Sequence, residues 1–172
     1  MNKVLSLTSL ALLGACAGTQ PESSIIPPRF EPGAGESMTL IVPAKGVQIY
    51  ECRANQAGAY EWTFVAPDAQ LFDTTGKPIG RHYAGPSWES GDGSKIVGAV
   101  KARADAPAVN AIPWLLLGTK SVGREGSFSK VTSVQRVNTS GGVAPKAGCS
   151  EGNAGTPARI PYTADYYFFT AR

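Results

Sequence analysis

The stretch from His82 to Ser94 gathers the only histidine of the chain with two carboxylates (Glu89, Asp92), two serines (Ser87, Ser94) and two aromatics (Tyr83, Trp88). An imidazole titrates near neutrality and can act as a general base when a carboxylate orients it, so a hydrolase would pair His82 with Glu89 or Asp92. Gly85-Pro86 and Gly91-Asp92-Gly93 mark the stretch as turns, and turns on a rigid β scaffold often carry function. The plainer reading leads. His82 and Tyr83 end a strand, Trp88 fills the edge of a core, and residues 91 to 93 form a surface turn. A lone histidine has no placed partner, and the strand-turn-helix elbow that presents a nucleophilic serine is absent.

Other chemistries are less well supplied. Zinc draws on several His or Cys ligands, and this chain has one histidine and three cysteines. The spacing of Glu89 and Asp92 matches no calcium loop. Glu61, Asp68, Asp73, Glu89 and Asp92 could supply a carboxylate pair for glycoside hydrolysis, but that pair needs a defined separation which sequence does not contain. Gly141-Gly142 lacks the context of a phosphate loop and reads as a turn. No metal and no cofactor is implied. The competing class is a binding module, with Tyr83, Trp88 and Glu89 facing an envelope glycan, a peptide or a small apolar ligand. Trp88, flanked by Ser87 and Glu89 beside glycines, is the tryptophan expected to reach a surface, and Trp114 the surest core residue.

The elements that must position these residues read as strands. From about residue 38 onward, short runs rich in Val, Ile, Thr and aromatics alternate with Gly, Pro, Asn and Asp. Met38–Val42 and Val47–Cys52 flank Pro43-Ala44-Lys45-Gly46, which suits a hairpin turn. Tyr60–Val65 puts Trp62 and Phe64 on one face. Leu71–Asp73 ends in a turn over Thr74–Pro78. Ile96–Ala104 forms a longer strand in which Gly98 marks a bulge or a close backbone approach. Ile112–Leu117 is apolar on both faces and reads as a strand through the core, although periodicity also fits a short buried helix. Val131–Val137 alternates imperfectly. Tyr162–Ala171 carries aromatics on both faces and belongs between neighbouring strands, since an aromatic edge invites aggregation. The expectation is an all-β, single-domain antiparallel sandwich or closed barrel of roughly eight to ten strands.

Around this domain, expected over 38–172, the sequence also sets out an address. Lys3, the apolar Val4–Leu13 and the run Leu13-Gly14-Ala15-Cys16 read as a lipoprotein export signal over residues 1–15, with Cys16 becoming the acylated, palmitate-bearing first residue. An ordinary secretory signal cleaved after Ala17 is the alternative, and the apolar run is too short to span a bilayer. Residues 16–37 are rich in Pro and Gly and read as a tether, although Ile25, Ile26 and Phe30 would be exposed in a free linker and are expected to dock on the domain. Cys52 and Cys149 form an even pair in an oxidising compartment and are expected to bond. Sixteen Lys and Arg against thirteen Asp and Glu give +3. Loss of Lys3 leaves fifteen against thirteen, or +2. So small and scattered a positive balance implies no nucleic-acid partner. Ala17 after Cys16, in place of an aspartate, tilts the expected location to the outer membrane facing the periplasm.

Val47–Cys52, Trp62–Pro67, His82–Glu89, Asp92–Ser94, Ala111–Leu117, Val131–Arg136, Gly141–Pro145, Cys149 and Pro161–Ala164, in that order, resemble the domain of unknown function 3455 family from about Gly46 to the C-terminus. The resemblance implies an exported domain and transfers no catalytic residue. Together these readings anticipate a lipid-anchored envelope protein whose domain binds a ligand or partner, with His82, Trp88, Glu89 and Asp92 as its site. The hydrolase already described and a structural envelope protein are the alternatives, and the oligomeric state is not legible.

Overall fold

The computed structural model describes residues 26–172. Eight antiparallel strands follow one another around a closed barrel: β1 (Glu36–Ala54), β2 (Tyr60–Phe72), β3 (Pro78–Tyr83), β4 (Ser87–Ser90), β5 (Lys95–Ala104), β6 (Trp114–Ser121), β7 (Val131–Gly141) and β8 (Pro157–Ala171). Each strand pairs with its neighbour in sequence, and β1 with β8 closes the ring. Of the two expected architectures, the barrel is the one found. Its connections separate the two ends. One end carries the β1–β2, β3–β4, β5–β6 and β7–β8 loops. The other carries the β2–β3, β4–β5 and β6–β7 loops.

Inward positions are apolar: Val42 and Ala44 from β1, Ala69 and Leu71 from β2, Trp88 from β4, Ile96 from β5, Leu117 from β6, Val134 from β7, and Ala164, Tyr166 and Phe168 from β8. Around Trp88, Tyr166 and Phe168 pack edge-on, and Phe128 closes the same cluster against Phe168. Asp68, Gln70, Arg81, Lys101 and Arg103 are exposed on the wall. The wall also exposes Met38, Leu40, Ile41 and Val100, and the interior also holds the polar Gln48 and His82. Among the described residues no helix is long and apolar enough to cross a membrane.

Two readings of the strands are corrected. Pro43–Gly46 is not a turn, because β1 runs unbroken through it. Pro43 pairs with Asp165 of β8 just outside the stretch that pairs with β2, which begins at Ala44, so its missing N–H falls where the ladder is one-sided. Gly46 serves packing: a Cβ there would lie 2.2 Å from the Asp68 carbonyl oxygen. Trp88 does not reach the surface. It is 1% exposed and fills the barrel, and the absent side chain of Gly98 makes room for it, since a Cβ at that position would stand 2.9 Å from the indole.

Ser87–Ser90 is a strand, β4, within a stretch that the sequence marks as turns, and the other expected strands fall on β1, β2, β5, β6, β7 and β8. Asp73 Oδ1 accepts from Thr75 and Lys77 N–H in the β2–β3 turn, which Gly76 completes at φ 86°. The two apolar faces of β6 have two covers. Leu115 and Leu117 face the interior, while Trp114 and Leu116 pack outside with Val137 under Phe30. Phe30 is fully buried and Ile26 packs with it, so this part of the Pro-rich segment is bound to the barrel wall; Gln135 Nε2 donates to the Phe30 carbonyl. Ile25 and the residues before it, with the signal and Cys16, lie outside the described residues. Cys52 and Cys149 are bonded, with Cα atoms 5.3 Å apart.

Candidate functional site

The structure does not bring His82, Glu89 and Asp92 together. His82 and Trp88 are paired across β3 and β4 and point inward, so their neighbours Arg81, Tyr83 and Glu89 point outward. There Glu89 receives the Tyr83 hydroxyl and an Arg81 guanidinium N–H at 3.1 Å. These two partners, the hydroxyl first, hold its carboxyl below the ordinary range. Arg81 and Lys95 flank the Tyr83 ring at 4.8 and 5.0 Å. Asp92 lies in the β4–β5 turn at the far end. It accepts from Ser94 Oγ at 2.6 Å and Ser127 Oγ at 2.7 Å, and from both backbone N–H groups. Those bonds hold its carboxyl far below the ordinary range and clasp the β4–β5 turn to the β6–β7 loop. Tyr83 and Glu89 therefore share the outer wall, Trp88 the interior, and Asp92 an end clasp.

Glu89 borders a shallow cavity of about 260 Å³ on the outer wall with Gln70 and Arg81, and His82 faces a larger one at the end of the barrel. Its ring stacks on Trp88 with centroids 4.5 Å apart and lies 5.0 Å from that of Tyr166. Nδ1 is 2.9 Å from the Ser87 carbonyl oxygen. A carbonyl only accepts, so Nδ1 carries the proton and Nε2 is the acceptor of a neutral imidazole. Burial, with the nearby Arg136 charge, pushes the His82 pKa down to about 3, against the pull of the Ser87 bond.

The cavity is the mouth at the disulfide-bearing end, about 360 Å³, lined by Gln48, Phe64, Val65, Pro67, His82, Gly85, Pro86, Val100, Leu115 and Arg136. Strands from around the ring and the β3–β4 turn contribute. Gln48 stands on the inward row of β1, is 2% exposed, and its Nε2 has no hydrogen-bond partner among the described residues. Arg136 stands on β7 opposite Leu115 and Tyr166, and its Nε and Nη2 donate to the Pro113 carbonyl at 3.1 and 2.7 Å. Its charge reaches His82, Tyr50, Tyr162 and Tyr166. Burial pushes all three hydroxyls upward, so they stay neutral. The ion pairs among the described residues, Arg53–Glu51, Arg81–Glu89 and Arg159–Asp68, do not involve Arg136.

Gln48 and Arg136 are the site residues that sequence reasoning missed. Gln48 is the polar member of the alternating row Val42, Ala44, Gln48, Tyr50 and Cys52, a signal that depends on reading β1 as one strand. Arg136 is concealed by the β7 bulge between Val131 and Ser133, which upsets the alternation. Among the described residues no group of three or more His, Cys, Asp or Glu is arranged to hold a metal ion.

Fold and mouth together define a small closed meander barrel with a packed interior and a largely apolar mouth that carries Gln48, His82 and Arg136. The chain belongs to the family described as protein of unknown function (DUF3455), whose model matches residues 32–170. No curated protein and no solved structure matches it.

Proposed function

We propose that this protein is a cell-envelope lipoprotein whose barrel binds a small ligand in the mouth around Gln48, His82 and Arg136. The observation that carries the reading is the Gln48 amide, buried at the cavity wall with its Nε2 unpaired. A buried polar group without a partner costs about 1–3 kcal/mol, and a bound ligand that accepts from it recovers that cost. The volume lies at the lower end of the ~300–1,000 Å³ typical of small-molecule sites. Apolar walls from Phe64, Val65, Pro67 and Leu115 favour a small, largely apolar ligand.

Calorimetric titration with short amphiphiles is the test. Saturable one-site binding is expected, and Val100→Phe, a change at an exposed rim position, should weaken it at least tenfold while leaving the β-sheet circular dichroism unchanged. Binding that Val100→Phe leaves intact would place the ligand elsewhere.

A further inference from the structure

We infer that the mouth selects a ligand with a carboxylate head and a short apolar body, the head held by Arg136 and Gln48. This rests on the mouth being a binding site and names what it would hold. A guanidinium that lines an apolar cavity is costly without an opposing charge. Here the acidic side chains that pair with arginine, Glu51, Asp68 and Glu89, pair with other arginines. The groups Arg136 acts upon inside the barrel are a neutral imidazole and neutral phenols.

The geometry of the guanidinium narrows the class further. Pro113 O takes the Nε and Nη2 edge and the Tyr166 hydroxyl is a further partner of the guanidinium, while the edge formed by Nη1 and the second Nη2 hydrogen has the planar fork geometry that matches two carboxylate oxygens. The Gln48 amide, with Nε2 unpaired, adds a neutral donor to the lining of the same cavity. A phosphate dianion would call for a second cation, and the lining contains none besides Arg136. Besides His82, a neutral imidazole whose Nε2 accepts, the remaining lining side chains, Phe64, Val65, Pro67, Pro86, Val100 and Leu115, offer apolar contact to the ligand body.

The experiment compares octanoate, octanamide and octan-1-ol, which share one chain and differ in the head, by calorimetric titration of the unmodified protein at neutral pH. Octanoate is expected to bind at least tenfold more tightly than either neutral analogue, and the margin should shrink as salt rises. Arg136→Gln should remove the margin, leaving octanoate no tighter than octanamide, and Arg136→Lys should keep part of it. Equal affinities for the three probes in the unmodified protein overturn the carboxylate assignment and leave the mouth as a site for neutral ligands. Absence of binding by all three overturns both the assignment and the site. Because the decisive comparison uses the unmodified chain, it stands even if Arg136→Gln fails to fold.

Discussion

At the scale of single residues, His82 is a buried ring stacked on Trp88, and that burial gives it a pH signature. Its folded pKa of about 3 lies below the ordinary 6.5, so the unfolded chain takes up the proton first. The stability that neutral His82 contributes is therefore complete above about pH 6.5 and is lost as the pH falls toward 3. Between pH 7 and 4.5 this loss amounts to about 2–3 kcal/mol, since a proton bound only by the unfolded chain favours unfolding by about 1.4 kcal/mol for each tenfold rise in acidity. Urea unfolding of the intact protein should show that decline, and His82→Phe, which keeps an aromatic ring against Trp88, should flatten it. Asp92, held below its ordinary 3.8, and Glu36, Glu51 and Glu89, held below their ordinary 4.5, act in the same direction at lower pH, so the upper part of the window belongs to His82. A wild-type stability level from pH 7 to 4.5 would show that the ring is charged or solvated in the fold.

At the scale of elements, the informative case is a strand whose two faces are covered by different parts of the chain. Trp114 and Leu116 of β6 would be an exposed apolar patch if Phe30 did not lie over them. Truncating a buried phenylalanine costs about 3–5 kcal/mol. Phe30→Ala should therefore lower the urea midpoint accordingly and raise binding of an apolar dye at the uncovered wall. A loss under about 1 kcal/mol would mean that the segment only rests on the barrel. The apolar run around Trp114 was legible as a buried strand, and the docking of Ile26 and Phe30 was legible because isolated apolar residues in a polar linker seek cover. The cysteine pair was legible from parity and compartment. What was not legible follows from pairing. Pro43 and Gly46 have the composition of a turn, and only the neighbours β2 and β8 turn them into strand. The mouth was invisible for the same reason, since Gln48 and Arg136 are 88 positions apart in the chain and meet only when the ring closes.

At the scale of the whole molecule, closure joins the first and last strands over a register running from Glu36–Ala171 to Glu51–Pro157, so the barrel is complete only when both of these strands are in place. Its wall exposes charges beside apolar residues such as Met38 and Val100, and the membrane attachment proposed for this chain lies outside the wall. The proposed attachment is a lipid on Cys16. With Ile26 packed on the barrel, nine residues separate the two, a reach of roughly 30 Å at ~3.3–3.6 Å per residue. Ile26 packs against the cluster of Phe30, Trp114, Leu116 and Val137, as do Ala104, the last residue of β5, and Ala106. A single acyl chain anchors only marginally, whereas multiple acylation holds firmly. The full chain produced with labelled palmitate should take up label and partition into the detergent phase. Cys16→Ser should do neither, and its barrel, disulfide included, should melt as the purified domain does. Label retained by Cys16→Ser, or an unlabelled wild type that stays with the aqueous contents of the cytosol, would overturn the anchored envelope assignment and leave the ligand site to be judged on its own titrations.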